Sequence, residues 1–152
     1  LDDAQLYAVV EDYAHRAAQG AHQLGEVGAV MRLGLMRAMD GDAPIHLRLH
    51  GPESLKLFAS GKGNAPKEDV QSGIWDQFRV SYEDFDEPVL GDLTDAYALA
   101  QMGRLEQSVR AGATMLADLP EHWRKLFLRV TPTNPVNLLA RPWTSPSLCA
   151  SA

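Results

Sequence analysis

The first candidates for chemistry are histidines and carboxylates in the opening fifty positions. Glu11, His15, His22 and Glu26 are spaced by four, seven and four residues. On one continuous helix that spacing sets all four roughly on one face. Helical bundles do hold metals with Glu and His from facing helices. The Glu-x-x-His pair typical of such sites is missing, since His15 follows Asp12 at that distance, and Gly20 interrupts the helix between the two histidines. The four therefore read as a solvated polar face. A second group, His46, Arg48 and His50, alternates along a strand-like segment. Four residues of strand span about 13 Å, too far for both imidazoles to reach one ion. Arg48 between them suits a carboxylate or phosphate instead. A small enzyme using His46, Arg48 and His50 is one of three functional readings.

Other chemical patterns fall short. No Gly-x-Ser-x-Gly elbow occurs, so a serine nucleophile has no local signature. Glu83, Asp84, Asp86 and Glu87 form an acidic run, which reads as a solvated loop or a helix start rather than an acid–base pair. Gly61-Lys62-Gly63-Asn64 lacks the spacing of a phosphate loop. Asp40-Gly41-Asp42 is too short for a calcium loop and lacks its closing glutamate. These negatives predict neither cofactor nor metal. The remaining inventory is apolar: Phe58, Trp75, Phe78, Tyr97, Met102 and Met115. Aromatic and adaptable Met side chains can line a cavity for a loosely specified ligand. These six are the expected ligand-binding residues.

The elements that would position them follow from periodicity. Leu6, Val9, Val10, Tyr13 and Ala17 form a helical stripe over 2–19, and Leu24, Val27, Met31, Leu35 and Ala38 another over 21–39. This predicts an N-terminal helical hairpin. Alternation then predicts a three-stranded antiparallel meander at about 44–50, 54–60 and 74–82. A long helical pattern over 93–119 and a shorter one over 120–130, opened by Pro120, supply C-terminal helices to cover the sheet. The expected class is α+β, with one domain over 1–130. A Pro/Ser-rich tail over 131–152 is expected to dock partly, through Leu138, Leu139 and Trp143.

Residues 78–119 resemble the sterol-carrier-protein type 2 domain family. The similar elements are Phe78-Arg79-Val80-Ser81-Tyr82-Glu83-Asp84-Phe85, then Gly91-Asp92-Leu93 opening a helix, Gly103-Arg104-Leu105, and Gly112 ahead of Met115-Leu116 and Leu119. The resemblance covers about a quarter of the chain. It implies a lipid or other apolar ligand in a tunnel between sheet and helices, with no catalytic residues.

Composition bounds these readings. The 152 residues carry 14 Lys+Arg against 20 Asp+Glu, a formal net charge of −6. No segment is rich in Lys and Arg, so the broad basic footprint of a duplex-binding protein is missing and no nucleic-acid partner is expected. No apolar run approaches the ~18 residues of a membrane span. The single cysteine, Cys149, cannot form an internal disulfide, which points to a reducing, cytoplasmic setting. The leading expectation is a non-enzymatic module binding a hydrophobic small molecule. The alternative is an acidic interaction, accessory or inhibitor protein docking on a larger partner, and the amphipathic first helix is available for a homodimer interface.

Overall fold

A computed structural model describes residues 6–12, 28–31, 33, 34, 37 and 45–128. Two strands come first. β1 (Leu6–Glu11) pairs in parallel with β2 (Ile45–His50), in a register that sets Val9 beside Arg48 and Glu11 beside His50. The Asp12 N–H extends the ladder by donating to the His50 carbonyl at 2.7 Å. Parallel strands need a crossover connection, and residues 28–31, 33, 34 and 37 within it are helical. Four helices follow: α1 (Pro52–Ser60), α2 (Lys67–Phe78), α3 (Val89–Arg110) and, after a 3₁₀ turn at Leu116–Asp118, α4 (Glu121–Leu128).

This architecture corrects the expected helical hairpin and three-stranded antiparallel meander. The segment expected to open the hairpin is β1. Its Ala8-Val9-Val10 run carries β-branched residues suited to a pleated, half-buried surface, and its partner lies nearly forty residues away. A strand does form at Ile45–His50, but it pairs with β1 in parallel rather than with 54–60. That second segment is α1: Pro52 occupies a first helical position, Gly61 closes the end at φ 78°, and its N–H donates to the Leu57 carbonyl at 2.9 Å. The alternation of Leu55, Leu57 and Ala59 hid the decisive residue, Phe58, which is fully buried beside Leu55 and Ala59 at helical spacing. Residues 74–78 of the third expected strand are instead the end of α2, whose Val70 and Ile74 sit four residues apart on the buried side, and 79–82 belong to the loop that follows. The helix expected over 93–119 starts earlier and stops at Arg110. The expected tail contacts through Leu138, Leu139 and Trp143 lie outside the described residues, as do His15, His22, Glu26 and Cys149.

The core gathers Leu55, Phe58 and Ala59 of α1, Val70 and Ile74 of α2, Ala98, Leu99, Met102, Leu105 and Val109 of α3, and Leu126 and Phe127 of α4. Two glycines let elements approach closely. A Cβ at Gly73 of α2 would collide with the Ala59 carbonyl of α1, and one at Gly103 of α3 would stand 2.5 Å from Val9 Cγ2. Gly103 thus seats α3 on the face of β1 that carries Val9 and, two residues on, Glu11.

Candidate functional site

α3 determines what lies at each end of the strand pair. Gly103 rests on Val9, and one turn later Glu106 meets Arg48, the neighbour of Val9 on β2. Running back from Gly103 toward its N-terminus, α3 advances about 12 Å by Asp95. It carries Asp95 and Asp92 to the end of β1 where the strand finishes in Glu11. Asp92 and Asp95 are three residues apart, so they share a helix face.

Two ionic groups result. The inner one is buried. Arg48 donates from Nε to Glu106 Oε2 at 3.0 Å and from Nη2 to Oε1, while Arg110 donates from Nε to Oε1 at 3.0 Å. Glu106 is 2% exposed and Arg48 6%. His50 lies against this group, 4% exposed, and its Nε2 has no hydrogen-bond partner among the described residues. Burial first, and then the Arg48 charge, push the imidazole down to about 4 against the pull of Glu106. The histidine is therefore neutral across the physiological range.

The outer group opens to solvent. Glu11 and Asp92 are exposed and Asp95 is half-buried. The Glu11 carboxyl is raised above its ordinary range by partial burial, then by Asp95 and Asp92, with Lys56 acting in the opposite sense. Asp95 is raised by partial burial and by Asp92 and Glu87, with Lys67 and Lys56 opposing. Three carboxylates from two elements thus share one field with one lysine from α1 and one from α2. No ion pair closes among Glu11, Asp92, Asp95 and Lys56 in the described residues. Lys67 lies across the first turn of α3, where a Cβ on Gly91 would collide with its Cε and Nζ. Its Nζ donates to Glu87 Oε2 at 2.6 Å, and Gln71 Nε2 donates to Glu87 Oε1 at 3.0 Å. That hydrogen bond holds Lys67 above its ordinary value and Glu87 below its own. Among the described residues, no group of three or more His, Cys, Asp or Glu side chains is placed to hold a metal ion.

The residues singled out for an apolar pocket are placed differently from one another. Phe58 stacks on Trp123 at 4.9 Å between ring centroids, and Phe78 lies 6.1 Å from Phe58 and edge-on to Tyr97 at 5.7 Å. The Trp123 indole N–H donates to the Phe58 carbonyl at 2.8 Å. Met102 is fully buried in the same core, while Trp75 and Met115 are about half exposed. Among the described residues two surface clefts are seen: one of about 340 Å³ between α1, α2 and α4, bordered by Asp69, Asp76 and His122, and one of about 250 Å³ between α2 and α3. Trp75 is the one residue of the six that lines either cleft, the second. Arg48 and His50 of the proposed enzyme trio share the buried face against α3, and His46 is described through its backbone alone.

Sequence reasoning placed Glu11 on a helix, met Asp92 only within a family resemblance, and passed over Asp95, Lys56 and Lys67. A signal was present: an acidic residue closing the Leu6–Val10 apolar run, and an Asp-x-x-Asp pair opening a long helix. Joining them requires knowing that α3 lies back along β1. No family model, curated protein or solved structure matches the chain.

Proposed function

We propose that the chain hydrolyses phosphate diesters with the help of a divalent cation drawn to Glu11 and Asp95, with water and substrate oxygens completing its shell. The observation that carries this reading is placement: Gly103 seated on Val9 brings Asp92 and Asp95 of α3 toward the end of β1 that closes in Glu11, and none of the three has an ion-pair partner among the described residues. Asp95 and Asp92 of α3 raise the Glu11 carboxyl across two elements, the lysines beside them form no ion pair with it, and perturbed groups of this kind concentrate at functional sites. A cation between them would relieve the crowding.

The chemistry of the donor set narrows the ion and the substrate. Magnesium-like ions take one or two protein carboxylates and complete their shell with water and substrate phosphates. An open, one-sided set of oxygens suits that coordination better than a closed cage. Lys56 and Lys67 supply point charges for the non-bridging phosphate oxygens. The position agrees with the habit of parallel sheets, which bind ligands beyond the carboxyl ends of their strands. The net charge of −6 gives no broad attraction for a polyanion, so recognition of a diester, including a nucleic-acid strand, is confined to this site.

When bound, the ion would polarise a phosphoryl oxygen and acidify a water. In the reaction a water oxygen bonds to phosphorus as the ester P–O bond breaks. The water's proton passes to solvent, Glu11 and Asp95 being engaged with the ion, and the leaving alkoxide is protonated by solvent. The test is hydrolysis of bis(4-nitrophenyl) phosphate and of short DNA and RNA strands with Mg²⁺ or Mn²⁺. Glu11→Gln or Asp95→Asn should lower the rate by about a hundredfold or more, and calorimetry should show Mn²⁺ binding weakened in both. Cation-independent turnover, or variants as active as the parent, would refute the reading.

A further inference from the structure

The second cleft lies between α2 and α3, where residues 79–88 cross from one helix to the other. Trp75, 47% exposed, and Tyr82 bring aromatic surface to it, while Leu90 and Thr94 line it from α3. Glu68 and Glu83 also border it. Glu87, Glu106 and Glu121 each meet a basic side chain, whereas Glu68 and Glu83 have no ion-pair partner among the described residues. The Trp75 indole N–H likewise has no acceptor among them.

An aromatic face flanked by carboxylates selects for a cation. A guanidinium can stack on an indole and donate to carboxylates at the same time. An apolar ligand would strip water from Glu68 and Glu83 without replacing it, and a phosphate would be repelled by them. At about 250 Å³ the cleft has room for one long side chain rather than a helix. The negative field continues beyond it through Asp84 and Asp86, more charge than one cation neutralises. We propose that this cleft takes an arginine or lysine side chain from a basic segment of a partner protein, the neighbouring basic residues lying along 83–86. This site stands apart from the carboxylates at the end of β1 and does not depend on the function assigned to them.

The experiment is a titration of the full ¹⁵N-labelled chain, followed through its indole N–H resonances. The probe is a peptide of alternating arginine and glycine, and its citrulline counterpart keeps the shape without the charge. The Trp75 signal should move saturably with the arginine peptide and stay still with the citrulline peptide. Trp123, whose N–H is tied to the Phe58 carbonyl, serves as an internal reference and should not move. Trp75→Leu and the double variant Glu68→Gln/Glu83→Gln should each weaken binding by about tenfold. Both alter solvent-exposed positions, and circular dichroism checks that the fold is kept. The proposal is overturned if the citrulline peptide binds equally, if affinity is unchanged in both variants, or if spermidine matches the peptide, since charge alone would then suffice.

Discussion

The two ionic groups along α3 are built from the same residue types and behave in opposite ways. At Glu106 one carboxylate meets two guanidinium groups in near-complete burial, and its lone pairs are used. At Glu11, Asp92 and Asp95 three carboxylates share partly solvated space with two lysines, and two of them are pushed toward the protonated form. The first arrangement is complete as it stands. The second favours the arrival of positive charge, so it costs stability until something binds. Matched charge marks structure here, and mismatched charge is what the proposed cation would relieve.

The sharpest way to break the contrast is to damage the matched group. Glu106→Ala leaves Arg48 buried without its carboxylate and should destabilise the fold by about 3–5 kcal/mol in chemical denaturation. A loss within experimental error would mean that Arg48 escapes to water and that the inner group is not structural.

His50 gives the next largest effect, through pH. Its folded value of about 4 lies below the ordinary 6.5 of histidine. Between those values the unfolded chain binds the extra proton, so stability falls as pH drops through that window. The limit for this one group is about 3 kcal/mol. Denaturation midpoints at pH 7 and pH 5 should differ less in His50→Phe than in the parent; equal slopes would place the titration elsewhere.

The mismatched group predicts the reverse sign. For Glu11 and Asp95 the folded value is raised, so the folded chain holds the proton more tightly. Their contribution is most favourable at low pH and is lost as pH rises through the raised values. Glu11→Gln and Asp95→Asn should therefore raise the thermal midpoint at pH 7, by a few degrees at most. Added Mn²⁺ should raise the midpoint of the parent and leave the variants unmoved. A lowered midpoint in the variants would make these carboxylates ordinary structural partners.

The smallest effect sharpens the comparison by serving as its control. Lys67 and Glu87 are both exposed, and exposed pairs contribute little. Glu87→Gln should leave the thermal midpoint unchanged. If Lys67 serves the phosphate, as the proposed function requires, the same variant should change KM while the midpoint stays fixed.

What the sequence disclosed follows the range of the interactions involved. Local signals were present for α1 in Pro52 and Gly61 and for α4 in Pro120. At α1 they were outweighed because Leu55, Leu57 and Ala59 also satisfy a period of two. The strand β1 was hidden more deeply. Leu6, Val9 and Val10 fit a helical stripe, and only pairing with Ile45–His50 decides for the strand. The candidate site inherits that difficulty, because Glu11 and Asp95 are neighbours only after β1 has paired and Gly103 has settled on Val9. Arg48 attracted attention for its charge, yet its partner Glu106 lies 58 positions away and nothing local joins them.

The seating of Gly103 on Val9 also governs how this chain can vary in length. Between that contact and Asp95 lies an unbroken stretch of helix, and each residue turns the helix by about 100°. A single residue gained or lost there would swing Asp92 and Asp95 away from Glu11, while Glu106 on the other side of the contact stayed in place. A change of seven, close to two full turns, would nearly restore their direction, and it would still displace them by about 10 Å along the axis. The stretch from Asp95 to Gly103 is thus a fixed ruler: its exposed residues, such as Ala96 and Ala100, can be exchanged, but its count cannot.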